Sequence, residues 1–223
     1  MFTEYNELKI TDKPNKLVIF LHGVGSNGQD LIDLAPLFAE KFRNAYFMSP
    51  NALEKYDLAP FGYQWFSLQD RSAEAMQRGI AKSAPMLAKN IEEKLIELGL
   101  EYKDLILIGF SQGTMMAIDF AIRAKEKICA VIGFSGTVVP PVDVEEILKA
   151  KSENSGDDSK NKTPICLVHG AEDEVLTIDY MYMSVKFLKT HGFPIEYLNV
   201  PNLKHSIDKK GVDFAINFIS KYY

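Results

Sequence analysis

The chain is poor in cysteine: Cys129 and Cys166 are the only two in 223 residues. That is too few for a disulfide framework, and neither stands at a metal-ligand spacing. Both fall inside apolar runs, so they read as buried thiols. Long apolar segments are also missing. The runs at Leu17–Leu21 and Leu105–Ile108 are far short of the about 20 residues that a membrane span needs. Glu4 and Glu7 break up the N-terminus, which lacks the apolar core of a signal peptide. The expectation is a soluble, cytoplasmic protein with no transmembrane segment. Basic clusters are absent and the net charge is −5, which argues against nucleic acid as a partner.

What is present is an alternation of short β runs with helical periodicity, over a length that suits one domain covering residues 1–223. The strands are expected at 4–10 (an edge strand), 16–21, 45–48, 105–109, 129–134, 165–168 and 195–200. Between them lie expected helices at 31–42, capped by Asp30, and at 112–124, 143–150, 178–190 and 207–222. Residues 72–99 are also helical, but Pro85 predicts a break there, with Ser83 capping a second piece that ends at Gly99. Residues 51–71 show no period and read as a long loop, which in compact domains is usually functional. The polar stretch 152–162 reads as an exposed loop. Strands that alternate with helices and are apolar throughout imply an α/β fold, with a mostly parallel central sheet flanked by helices. In such folds active sites lie at the carboxyl ends of strands.

Residues with useful chemistry do follow the strands. Gly109-Phe110-Ser111-Gln112-Gly113 joins a strand to a helix. Small residues two before and two after a serine allow a turn tight enough to expose its hydroxyl, the nucleophile-elbow pattern. The bare pattern arises by chance in roughly one chain in fifteen of this length, so the strand–turn–helix context carries the weight. A serine needs a base. Of His22, His169, His191 and His205, only His205 follows both the serine and a post-strand acid at a strand end. His191 reads as a solvated residue at a helix end, and His22 and His169 as structural hydrogen-bonding groups. The acid is Asp173 or its neighbour Glu172, both after the strand at 165–168. Spacing alone leaves the two open, but the order Ser111, Asp173, His205 is that of α/β-hydrolases. An oxyanion needs N–H donors. One is expected from Gln112, directly after the serine, and another from the glycine-rich loop His22 to Gly28. That loop matches neither the phosphate-binding nor the dinucleotide fingerprint, so no cofactor is expected.

Leu21-His22-Gly23-Val24-Gly25, Gly109-Phe110-Ser111-Gln112-Gly113, His169-Gly170-x-x-Asp173 and the late His205 together resemble the phospholipase/carboxylesterase family, which includes bacterial carboxylesterases and acyl-protein thioesterases. The resemblance spans nearly the whole chain. It implies an α/β-hydrolase fold with no large cap domain, and hydrolysis of carboxylic esters, including lysophospholipids or thioesters. By position it implies Ser111, Asp173 and His205 as the triad, with Val24 and Gln112 as the oxyanion donors. Trp65-Phe66 resembles an aromatic pair that members carry in a loop near the site. Thr114, Ser67, Lys204, Glu174 and Thr177 depart from residues common in the family and are expected to alter the pocket rim.

A small-molecule ester or lipid is the expected partner. Trp65, Phe66, Leu68, Val175 and Leu176 are the candidate substrate contacts, with Val138 and Val139 as further apolar surface. A small closed pocket would suit a carboxylesterase, and an open apolar groove an acyl-protein thioesterase. A non-catalytic binding module on the same fold is the remaining alternative, disfavoured by the intact Ser, Asp and His. A homodimer is left open, and no metal is expected.

Overall fold

The computed structural model describes residues 2–155 and 162–223. Its centre is a seven-stranded sheet. The strands are β1 (Tyr5–Lys9), β2 (Lys16–Leu21), β3 (Ala45–Pro50), β6 (Leu105–Phe110), β7 (Ala130–Phe134), β8 (Ile165–Gly170) and β9 (Ile195–Val200). Their spatial order is β1-β3-β2-β6-β7-β8-β9. Only the edge strand β1 runs antiparallel, in register Glu7 with Met48, and every other pairing is parallel.

The apolar runs are buried on both faces, and the two-residue side-chain period sorts them. Leu105 and Leu107 of β6 join Leu17, Ile19, Val131 and Leu167 in one core. Ile106 and Ile108 join Val18, Phe20, Ile132 and Val168 in the other. The first core is covered by α3 (Ala73–Leu98), α4 (Gln112–Arg123) and α6 (Ile178–Thr190). The second is covered by α1 (Gly28–Ile32), α2 (Ala35–Ala39) and α7 (Lys209–Ile219). Cys129 and Cys166 are buried free thiols in this second core. Among the described residues no helix is long and apolar enough to cross a membrane.

Four expectations are corrected. The helix expected at 31–42 is two short helices. Asn27, not Asp30, caps the first, accepting from Gln29 N at 2.8 Å, and Pro36 sits at the start of the second. Asp30 instead accepts from Ser26 Oγ. Pro85 does not break α3, which is continuous from Ala73 to Leu98. A proline inside a helix costs about 3 kcal/mol. Here the buried stripe Ile80, Ala84, Leu87, Ile91, Leu95 runs through it at helical spacing and offsets that cost. Ser83 caps nothing; its hydroxyl donates to Trp65 O at 2.5 Å. The helix expected at 143–150 is α5 (Val144–Ser155), which takes in the start of the expected polar loop. Lys151 ties it down by donating to Ala121 O and Ile122 O at the end of α4. Residues 156–161 of that expected loop lie outside the described residues. The final helix is shorter than 207–222, because Asp208 caps α7 by accepting from Gly211 N.

The long loop 51–71 contains a small hairpin, β4 (Glu54–Lys55) with β5 (Tyr63–Gln64). It is stitched to the glycine loop through Gly25 N to Tyr63 O and Tyr63 N to Ser26 O, each 2.8 Å. Gly62 is required at this seam. Its φ is +82°, and a Cβ there would lie 2.1 Å from Gly25 O.

Candidate active site

Three strands deliver the three candidate groups at one edge of the sheet. Ser111 follows β6 directly and sits at φ 52°, ψ −114°, a backbone conformation that non-glycine residues rarely adopt. The tight turn is held by Ser111 N donating to Phe134 O at 2.9 Å and Thr114 N to Ser111 O at 3.0 Å. It also depends on close approach of α4 to β2. A Cβ on Gly113 would lie 1.8 Å from Leu21 O. No rotamer relieves a backbone clash, and overpacking of this kind costs about 1–3 kcal/mol or more. Gly113→Ala is therefore expected to destabilise the fold by an amount in that range, read as a lower urea midpoint of unfolding at unchanged slope. An unchanged midpoint would show that the elbow has slack.

Asp173 follows β8 and is buried, whereas Glu172 is exposed. Asp173 Oδ1 accepts from Val175 N and Leu176 N, both at 2.9 Å, which closes its turn. Oδ2 accepts from His205 Nδ1 at 2.7 Å. A donating Nδ1–H leaves the neutral ring's lone pair on Nε2, the tautomer a general base needs. His205 follows β9, is half-buried, and packs against the Phe110 ring with centroids 4.9 Å apart. His169, fully buried, donates from Nε2 to Leu176 O at 2.7 Å, with Asp173 Oδ2 3.2 Å away. It therefore braces the Asp173 turn. His191 is at the end of α6 beside Glu145 and does not line the cleft that holds Ser111 and His205.

Ser111 and His205 line one cleft of about 520 Å³. Gly23 and Val24 form part of its wall. Gln112, the first residue of α4, is completely buried. His22 is buried too, and burial holds its ring below the ordinary histidine pKa, in the neutral form. Its Nδ1 donates to Gly23 O at 2.7 Å, and its Nε2 accepts from Ala52 N at 2.9 Å.

Of the five candidate substrate contacts, only Val175 lines this cleft. Trp65 and Phe66 are core residues at 0% and 2% exposure. Leu68 and Leu176 pack against the same core, and Val138 and Val139 are buried in it. The apolar lining comes instead from Leu31, Leu34, Phe110 and Ile207, which sequence reasoning did not single out. The only available signal was proximity: Leu31 and Leu34 follow the glycine loop, Phe110 precedes the serine, and Ile207 comes two residues after His205. Thr114 is not at the rim. It is fully buried, and its side chain occupies the room left by Gly133 and Gly136. Ser67, Glu174, Thr177 and Lys204 are exposed but outside the cleft lining. A larger cavity of about 600 Å³ lies between the N-terminal segment, residues 51–55 and α3, and holds none of the candidate catalytic groups.

A family model described as Phospholipase/Carboxylesterase matches residues 8–223. Esterase YpfH of Escherichia coli is 27% identical over 210 residues, covering 93% of this chain and 84% of that protein. Acyl-protein thioesterase 1 of Aspergillus fumigatus is 28% identical over 224 residues, covering 94% and 88%. The crystal structure of esterase PE8 superposes with a TM-score of 0.87 at 29% identity, covering 99% of each chain.

Proposed function

Because the chain belongs to the phospholipase/carboxylesterase family and is a hydrolase of the carboxylesterase and acyl-protein thioesterase type, we propose that it cleaves carboxylic esters through Ser111, His205 and Asp173. Ser111 Oγ attacks the ester carbonyl carbon while His205 Nε2 takes its proton. The carbonyl oxygen becomes an oxyanion, which accepts from Val24 N–H and Gln112 N–H. The tetrahedral species collapses, the C–O bond to the alcohol breaks, and His205 returns the proton to the departing oxygen. Water, deprotonated by the same His205, then releases the acid from Ser111. Asp173 keeps the imidazole in its working tautomer and stabilises the imidazolium.

The observation that carries this reading is the 2.7 Å contact of His205 Nδ1 with a buried, doubly anchored Asp173, in the same cleft as a serine at an elbow. A fluorophosphonate probe tests it. One adduct per chain, mapped to the peptide carrying Ser111 and lost on prior boiling, is expected. A folded protein that takes up no probe would refute the assignment.

The cleft is walled by short loops, so it buries few methylenes beyond its apolar lining of Leu31, Leu34, Phe110, Val175 and Ile207. Each buried methylene is worth about 0.8 kcal/mol, roughly a fourfold gain in kcat/KM. With p-nitrophenyl acetate, butyrate, octanoate and palmitate, kcat/KM is expected to rise through the short and medium esters and then level off. A steep rise continuing to palmitate would favour long-chain deacylation instead.

A further inference from the structure

The aromatic residue with the largest buried volume, Trp65, is also the only tryptophan of the chain. Its indole Nε1–H donates to His22 O at 2.9 Å. The His22 ring, in turn, donates from Nδ1 to Gly23 O at 2.7 Å. These acceptors are two consecutive carbonyls of the glycine loop. A peptide unit is planar, with its C=O and the next N–H pointing in opposite directions. Fixing His22 O therefore fixes Gly23 N–H, and fixing Gly23 O aims Val24 N–H away from the His22 ring. Ala52 N–H, donating to His22 Nε2 at 2.9 Å, makes Nε2 the acceptor and so makes Nδ1 the donor.

The Trp65-Phe66 segment is gripped from the other side. The Gln112 side chain accepts from Trp65 N at 2.9 Å and donates to Phe66 O at 2.7 Å. Gln112 also owns the second expected oxyanion N–H. The two donors follow different strands, β2 and β6, yet the residues around both meet at Trp65: its indole holds the His22 carbonyl, and its backbone N–H holds the Gln112 side chain. Ser83 completes the anchor by donating to Trp65 O.

We infer that Trp65, clasped by the Gln112 side chain, and His22 are positioning residues that set the Val24 and Gln112 N–H groups at one common point. This rests on the reading of Ser111 as nucleophile given above. It assigns the 65–66 loop a role in transition-state geometry, where satisfying a buried indole would by itself require only some acceptor and not this one. The effect belongs to kcat: a donor that meets the oxyanion only in the tetrahedral state does not hold the ground-state ester.

Trp65→Phe removes the indole N–H, His22→Leu removes both ring nitrogens, and His22→Asn keeps an N–H near the Nδ1 position. Deleting an oxyanion donor outright costs about 10²–10³ in kcat. Misaiming one is expected to cost about 10- to 100-fold in Trp65→Phe and His22→Leu, with KM within about twofold, and His22→Asn should recover most of the loss. Binding of an alkyl boronic acid, which forms a tetrahedral adduct on the serine, should weaken in parallel with kcat. Folded variants with wild-type kcat would overturn the inference. So would a fall in kcat with boronate affinity unchanged, since packing alone would then account for it.

A measurement on the wild-type protein covers variants that fail to fold. Histidine-¹⁵N spectra should show His22 as the Nδ1–H tautomer at neutral pH, and the single indole N–H resonance should shift when boronate binds. An Nε2–H tautomer would sink the clasp. Fluorophosphonate labelling of the wild-type protein at Ser111 separates the two layers. If labelling fails, the nucleophile assignment is wrong; if it succeeds and the tautomer or variants disagree, only the clasp is wrong.

Discussion

Ser111→Ala is expected to lower kcat on p-nitrophenyl butyrate by about 10⁶, with the protein still folded. Alanine fits where serine stands, because Ser111 is held through its backbone: its N–H to Phe134 O, and its carbonyl to Thr114 N. The positive φ is no harder for alanine than for serine. What disappears is the atom proposed to form the acyl intermediate. Aligned N–H donors alone still favour attack by water, so a residual acceleration of about 10³–10⁴ over the uncatalysed reaction should remain. Circular dichroism and the thermal midpoint check that the fold survives. Turnover near the wild-type value, with contaminating esterase excluded, would remove Ser111 from the mechanism.

The second large effect concerns the acid. Asp173→Asn is expected to reduce kcat by about 10⁴ with a modest change in KM. The reason is visible in the hydrogen bonds. Oδ1 accepts from two backbone N–H groups, of Val175 and Leu176, so an asparagine would keep its carbonyl oxygen there. Its NH₂ would then face His205 Nδ1 and also His169 Nε2–H. Two donors cannot face each other, so the His205 ring must present a bare Nδ1 and carry its proton on Nε2. That is the tautomer that cannot accept the serine proton. Glu172→Gln should leave kcat within about twofold, because Glu172 is exposed and charges in water interact weakly. Large loss from Glu172→Gln with little from Asp173→Asn would move the acid. Equal small effects would mean that another carboxylate orients His205.

The features legible in the sequence share a physical origin in short-range rules. The strands show as apolar runs because parallel strands covered on both faces need apolar residues at every position, as in Leu105–Ile108. The elbow shows because steric demand at one turn is met by residues within two positions of Ser111. The order of Ser111, Asp173 and His205 shows because the strand ends that carry them follow that order along the chain. The family resemblance draws on the same local motifs, and the matched family model covers residues 8–223.

Tertiary structure decided the rest. Pro85 carries a local penalty that sequence reasoning counts, but the buried stripe on α3 that outweighs it exists only once α3 lies on the sheet. Trp65 and Phe66 look like exposed groove residues from their place in an irregular segment. They are core residues because Gln112, 46 and 47 positions away, and Ser83 hold that segment against the elbow. The cleft wall is made by Leu31, Leu34 and Ile207, which are far apart along the chain and meet only because α1 and the segment after β9 border the same strand ends. The candidate site was legible in residues that constrain their neighbours. The shape of the cleft and the aim of its donors depend on contacts between distant residues, whose energies no local pattern carries.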